Sequence, residues 1–100
     1  MYWRIKGDFE FRKCETYERD GKPAARLIVE DADGNSNEVG CSDNGQYADA
    51  LRLNKGDIVH LDIEIRSGVS RAGKHYSMAS LVRDTPIIVI GNAYDGVAAG

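Results

Sequence analysis

Two stretches of the sequence combine cationic with aromatic side chains, the residue types that bind single-stranded nucleic acids. Cations neutralise phosphates, and a ring that stacks on a base contributes about 1–3 kcal/mol. The first stretch holds Arg12, Lys13, Tyr17, Arg19, Lys22 and Arg26, and the second holds Arg66, Arg71, Lys74, His75 and Tyr76. We interpret them as candidate binding residues. The alternative is that the charges only keep hairpin tips solvated and that Tyr76 packs in the core.

The charges are segregated along the chain. The formal net charge is −3, which argues against a strongly basic nucleic-acid binder. Residues 27–64 nevertheless hold two Lys or Arg against nine Asp or Glu, whereas residues 65–83 hold four against none. Such segregation allows one positive face on an acidic protein, with an even scatter over the surface as the alternative.

Motifs for catalysis or cofactor binding are missing from the sequence. It contains no Walker A motif, no G-x-S-x-G and no dinucleotide fingerprint. Neither His60 nor His75 stands directly beside a candidate Ser or Cys nucleophile. We therefore expect a protein that is not an enzyme and needs no cofactor.

Two groups of residues resemble metal ligands only superficially. Cys14 and Cys41 are far apart and lack CxxC spacing, so we expect two reduced, mostly buried thiols. Residues 31–35 (Asp-Ala-Asp-Gly-Asn) resemble the start of a calcium loop, but Ser42 stands where the loop requires a bidentate glutamate. We expect a plain turn there and no metal site.

The candidate residues must be positioned by strands, because apolar and polar residues alternate along most of the chain. The first predicted strand runs from about Tyr2 to Tyr17 and is bent at Gly7, with Trp3, Phe9 and Phe11 expected in the core. The next strands are predicted at about 24–30, 36–41, 58–66 and 74–83. Asp20-Gly21 predicts a hairpin turn after the first strand, and residues 67–73 a loop before the last.

A single helix interrupts the strands. Ser42 or Asp43 is a suitable N-cap, and Tyr47, Ala50 and Leu51 follow at helical spacing, so we predict a short amphipathic helix within residues 42–53. The order β-β-β-α-β-β favours an all-β domain closed into a five-stranded barrel, since closure removes exposed strand edges. An SH3-like barrel is the alternative, but it would normally lack this helix.

Three stretches of the sequence are similar to one known family. They are Ile5–Phe9 as a glycine-bent first strand, Asp20–Val29 as the hairpin into the second strand, and Leu53–Val59 as the Lys-Gly entry to the fourth. Over residues 3–84 the chain resembles the single-stranded-DNA-binding proteins of bacteria and their smaller phage- and plasmid-borne relatives. These proteins have the oligonucleotide/oligosaccharide-binding (OB) fold.

The resemblance implies both a fold and a function. The fold is an OB-type barrel over residues 1–84, whose ligand groove crosses strands two and three between the first hairpin and the strand 4–5 loop. The function is non-catalytic binding of single-stranded DNA with weak sequence preference, in replication or in transfer of a phage, plasmid or other mobile element. A protein-interaction module within an assembly, or an RNA binder, is the alternative.

The expected location is the cytoplasm. No apolar run approaches the roughly 20 residues of a membrane helix. The first six residues interleave charged and apolar side chains, unlike a secretory signal. We expect single-stranded DNA and replication proteins as partners, and no membrane contact.

Residues 85–100 are predicted to form an extra strand and a flexible tail. Ile87, Ile88, Val89 and Ile90 are consecutive β-branched residues and need a cover, because such a strand is prone to aggregate when exposed. Since the barrel strands use their edges to close, pairing with a second copy is favoured over folding back. The predicted interface of this homodimer consists of Pro86, Ile87, Ile88, Val89, Ile90 and Tyr94.

Overall fold

Six strands and one helix make up residues 2–94, the part of the chain that the computed structural model describes. In chain order they are β1 (Tyr2–Arg19), β2 (Lys22–Glu30), β3 (Ser36–Gly40), α1 (Asn44–Leu51), β4 (Asp57–Val69), β5 (His75–Leu81) and β6 (Ile88–Asn92). The order of the first five strands and the helix is the predicted one. No helix in this part of the chain is long and apolar enough to cross a membrane.

The first five strands close into a ring. β1 pairs with β2 and with β4, β2 pairs with β3, and β4 pairs with β5, all in antiparallel orientation. The ring is completed where β3 meets β5 in parallel orientation, at Gly40 and Ser80. The predicted all-β, OB-type barrel is therefore confirmed.

β1 reaches both of its neighbours because it bends in the middle. Its first half pairs with β4 and its second half with β2, and Glu10 has a partner in each. The register shifts between Phe11 and Lys13, so the bulge that bends the strand lies at Arg12. Gly7, where the sequence predicted a bend, pairs in regular register with β4, so the bulge does not lie there.

The turn between β1 and β2 has the conformation that its sequence predicts. Asp20 and Gly21 have φ angles of 53° and 74°. Positive φ at both central residues is characteristic of the two-residue type I′ turn, for which Asp-Gly is a preferred pair. This turn fixes the register of the hairpin that carries Tyr17, Arg19 and Lys22.

The core consists of alternate residues on the inner face of the barrel. Leu27 and Val29 on β2 and Leu61 on β4 are fully buried, and Phe11 is buried beside them. Trp3 was predicted to join this core, but it is 54% exposed. β2 ends opposite Glu10, so the first residues of β1 extend beyond the barrel, and among residues 2–94 they have β4 as their one paired neighbour.

α1 is attached to the barrel by a buried amide. Asp43 is its N-cap and accepts a hydrogen bond from the Gln46 backbone nitrogen, as predicted for this position. The buried Gln46 amide donates to the carbonyl oxygens of Val82 and Thr85, at 2.7 and 2.9 Å. The helix therefore buries Gln46 and Ala50, whereas Leu51, predicted on its apolar face, is exposed.

β6 folds back on its own barrel and pairs with β4, an edge that the sequence analysis took to be used up by barrel closure. Along one edge of β4, residues 63–69 pair with β5. Residues 57–60 of β4 are left without β5 as a partner, and they pair with β6. Ile87 is buried in the core, and the Tyr94 ring lies on Gly56. The side chains of Ile88, Val89 and Ile90 remain exposed. The last part of the predicted tail, residues 95–100, lies outside the described residues.

Candidate nucleic-acid interface

An open groove runs over the outer face of the barrel where β3 meets β5. On one side it is lined by Tyr17, Arg19, Asp20 and Lys22 from the β1–β2 hairpin. On the other side it is lined by Met78 and Ser80 from β5, and Gly40 lies between the two sides. The structure thus brings three of the predicted binding residues together on one concave surface.

Strand register explains why these residues share a face. Arg26 on β2 pairs with Gly40 on β3, and Gly40 pairs with Ser80 on β5. Directly paired residues project to the same side of a sheet, and side chains two residues apart on one strand do so as well. Met78 therefore shares the outer face with Ser80, and Tyr17, which pairs with Ala24, shares it with Arg26.

Arg26 covers one face of the Tyr17 ring. Its guanidinium carbon lies 4.8 Å from the ring centroid, a cation–π geometry. Glu15 and Glu38 lie 3.8 and 3.6 Å from guanidinium nitrogens of Arg26, and its buried Nε atom has no hydrogen-bond partner. The charge of Arg26 is thus partly neutralised within the protein, and its main contact is with the tyrosine.

Arg19 and Lys22 carry the available positive charge at the groove. Both side chains are exposed, and neither has an ion pair among residues 2–94. Unpaired cations at the rim of a groove are free to neutralise phosphates of a bound strand.

The second candidate stretch forms an extended arm. β4 continues to Val69, so the loop predicted at 67–73 is shortened to a turn closed by hydrogen bonds between Ser70 and Lys74 and between Ser70 and Gly73. All five members of the stretch are exposed on this arm. They are Arg66, Arg71, Lys74, His75 and Tyr76.

Tyr76 lies over a glycine of the neighbouring strand. A Cβ atom at Gly68 would stand 2.9 Å from the Tyr76 hydroxyl oxygen, so the absence of a side chain there makes room for the ring. The ring is 47% exposed and lies on the outer face of the arm, not in the core. Arg66 beside it is paired with Glu64 at 3.3 Å.

Arg12 and Lys13 do not line the groove. The Arg12 guanidinium contacts the carboxylates of Glu10 and Glu30, the latter at 2.9 Å, and these contacts raise its pKa. Lys13 is exposed and lies 3.9 Å from Glu15. Both residues were grouped with the hairpin cations because they are close in sequence, but Lys13 pairs with Ile28 near the far end of β2, and Arg12 precedes it, so both lie well away from the hairpin tip.

Met78, Ser80 and Gly40 are groove residues that the sequence did not reveal. They are neither charged nor aromatic, so their residue types indicate no binding chemistry. Met78 follows Tyr76 at the strand period of two, and this spacing was the one signal that placed it on the same face.

The outer face of the β1–β4 pair is neutralised internally. Arg4 donates two hydrogen bonds to Asp62, at 2.9 and 2.7 Å, and the imidazole of His60 lies 2.7 Å from Asp8. The Tyr2 hydroxyl donates to Glu64 at 3.2 Å. The cations in the first half of β1 are thus paired with carboxylates of β4. This face therefore has little uncompensated positive charge to attract a nucleic acid.

The cysteines and acidic residues offer no metal site in the described part of the chain. Cys14 and Cys41 are free, half-buried thiols. Burial raises the pKa of the Cys41 thiol to about 11, so it is protonated at neutral pH. No group of three or more His, Cys, Asp or Glu side chains within residues 2–94 is arranged to hold a metal ion.

Comparison with known proteins identifies the fold. No family model matches the sequence, and no curated protein matches it either. A solved structure of the mitochondrial single-stranded-DNA-binding protein Rim1 from S. cerevisiae superimposes with a TM-score of 0.64 over 92% of this chain and 97% of that chain, at 15% identity. This chain shares the fold of Rim1. A small single-stranded-DNA-binding protein from Streptomyces coelicolor aligns over 100% of this chain and 97% of its own, at 15% identity and a TM-score of 0.44. The resemblance noted in the sequence is confirmed at the level of the fold.

The Arg4–Asp62 pair predicts how stability depends on pH. Its hydrogen bonds hold the pKa of the Asp62 carboxyl below its ordinary value of 3.8. This stabilisation is therefore present above about pH 4 and is lost as the pH falls through the lower pKa of the folded state. We expect Asp62→Asn to lower the melting temperature at pH 7 and to reduce the difference in melting temperature between pH 7 and pH 2.5. Asp33→Asn, in an exposed turn, is the control. An unchanged difference in Asp62→Asn would contradict the assignment.

Proposed function

We propose that this protein binds single-stranded DNA, without catalysis and with weak sequence preference, in the groove between the β1–β2 hairpin and β5. The observation that carries the proposal is the placement of the Tyr17 ring beside two unpaired cations, Arg19 and Lys22, on one groove. The groove crosses a barrel with the fold of Rim1, which is itself a single-stranded-DNA-binding protein.

The two sides of the groove take different parts of the ligand. Arg19 and Lys22 neutralise phosphates, and the strand releases counterions on binding, so affinity falls as salt rises. Bases lie along the outer face, against Tyr17 on one side and Met78 on the other. Stacking on a ring or a thioether does not read hydrogen-bonding groups, because every base has a π face, and this accounts for the weak sequence preference.

The arm extends the same surface. Tyr76 follows Met78 on the outer face of β5 and offers a second ring to a base beyond the groove. Arg71, Lys74 and His75 at the end of the arm offer further contacts to phosphates. We propose that a bound strand runs from the hairpin tip across β3 and β5 and then along this arm.

The acidic net charge does not oppose binding at this face. The cations of β1 are paired with carboxylates on the β1–β4 face, and Glu10 and Glu30 are bound by Arg12. The groove is lined by two cations, Arg19 and Lys22, and by one carboxylate, Asp20, so its charge is positive on balance, and association follows this local field. The proposal places the protein in the cytoplasm, in replication or in transfer of a mobile element, with replication proteins as further partners.

The proposal includes a homodimer formed through β6. β6 pairs with β4 on one edge, and no described strand pairs with its other edge. Ile88, Val89 and Ile90 are 47, 50 and 56% exposed, three adjacent β-branched side chains on an edge strand. An edge of this kind recruits a further strand, and a twofold arrangement closes the assembly with one added copy. Two barrels would contact a longer stretch of DNA and bind it with higher avidity.

Charge reversal at the groove tests the binding site. We expect Arg19→Glu with Lys22→Glu to weaken binding of a fluorescent oligo-dT, measured by anisotropy, and to reduce the slope of log K against log salt by about 0.7 for each lost phosphate contact. Arg52→Glu with Lys55→Glu makes the same charge change at exposed residues outside the groove and is the matched control. Equal losses in the two double variants would show a general charge effect and remove the groove as the site.

Light scattering at micromolar concentration tests the dimer. We expect a dimer for the wild-type chain and a monomer for Ile90→Glu, because the substitution places a carboxylate in the apolar interface. Leu51→Glu, at a similarly exposed apolar residue on α1, is the control and should remain dimeric. A wild-type monomer would refute the dimer, and an Ile90→Glu dimer would move the interface away from β6.

A further inference from the structure

Gly40, at the centre of the groove, is a glycine that the fold itself does not require. It is not among the glycines with positive φ, which are Gly21, Gly34, Gly56 and Gly73. A Cβ atom at Gly40 would meet only the Ala79 carbonyl oxygen at 3.8 Å and the Ser80 Cβ at 4.0 Å, which are ordinary contacts. Glycine weakens a strand, and within strands it often marks a close approach of a ligand.

Other glycines of the barrel show what covers such a position. The Phe9 ring lies 3.4 Å from the Cβ position of Gly7, and the Tyr76 ring lies over Gly68 in the same way. In both cases an aromatic ring of this chain packs against bare backbone of a strand. At Gly40 no ring of the described residues is within 4 Å, and the position opens into the groove.

The surroundings of Gly40 define the chemistry of what would cover it. Arg26 is the direct partner of Gly40 on β2 and covers one face of the Tyr17 ring. Tyr17 and the exposed Met78 line the groove together with Gly40, so the space favours a flat, polarisable ring. Ser80, paired with Gly40, presents a hydroxyl at the margin of the space, which suits the polar edge of a base. The unpaired cations Arg19 and Lys22 line the same groove, which suits a ring attached to a phosphate chain.

We propose that Gly40 is the seat of one unpaired base, which lies against the β3 backbone between Tyr17 and Met78. This inference rests on the proposed function and deepens it, since it assigns the preference for single strands to this seat. The cations alone would also accept a duplex, because both forms present phosphates. In a duplex the face of each base is stacked on its neighbour and is not available to Gly40.

Filling the seat is the direct test. Gly40→Val adds a side chain that suits a strand and projects into the groove, and Ser36→Val is the matched control, on the same strand and the same face but outside the groove. We expect Gly40→Val to bind oligo-dT roughly tenfold more weakly, in keeping with the loss of one stacked base, and Ser36→Val to bind as the wild type does. The melting temperature of Gly40→Val should not fall.

An abasic oligomer separates base contacts from phosphate contacts. It retains the phosphates and lacks the bases, so Gly40→Val should bind it as tightly as the wild type does, with an unchanged salt slope. An equal loss of affinity for oligo-dT and for the abasic oligomer would overturn the inference. Unchanged binding of oligo-dT by Gly40→Val would overturn it as well.

Met78 provides a second route if Gly40→Val is unstable. Met78→Ala should weaken oligo-dT binding, whereas Met78→Leu, which keeps an apolar wall of similar size, should retain it. Unchanged affinity in Met78→Ala refutes the seat. If these variants bind normally while the Arg19 and Lys22 reversals weaken binding, the proposed function stands and only the base seat fails. If the wild-type protein does not bind oligo-dT at all, the proposed function fails with it.

Discussion

The contact between Arg12 and two glutamates lies at the point where the strand shared by the two halves of the barrel changes partners. Glu10 and Glu30 are direct cross-strand partners at the point where β1 passes from β4 to β2. Like charges directly opposite each other destabilise a sheet. Arg12 is the bulged residue at this point, and its guanidinium contacts both carboxylates. The same residue therefore bends β1 and neutralises the repulsion that the bend would otherwise create.

Closure of the ring in turn creates the groove. Once β1 is shared between β2 and β4, β3 and β5 meet at the opposite side of the ring, where they pair at Gly40 and Ser80 alone. A single parallel pair leaves a shallow seam between two short strands. The β1–β2 hairpin stands beside this seam, so its cations and the Tyr17 ring face the outer surface of β5. The candidate site is thus a consequence of the way the barrel closes.

The elements that local chemistry determines could be predicted from the sequence. The Asp20-Gly21 turn, the Asp43 cap and the alternation in β4 each depend on neighbouring residues, and each is present in the fold. The predicted turn also brought Tyr17, Arg19 and Lys22 together at one hairpin. The features that were missed depend on distant strands: the length of β5 frees an edge for β6, the end of β2 exposes Trp3, and Arg12 finds a partner in Glu30. Gly40 gains its place in the site only from its pairing with Ser80.

Two-dimensional amide NMR spectra recorded during a titration with oligo-dT test the central claim most directly, since they report binding and its location together. The account predicts that the amide signals of Arg19, Lys22, Gly40 and Ser80 shift in a saturable manner. The signals of Arg4 and Asp62, on the neutralised β1–β4 face, should stay in place. A spectrum that does not change at low salt, or shifts concentrated on the β1–β4 face, would contradict the account.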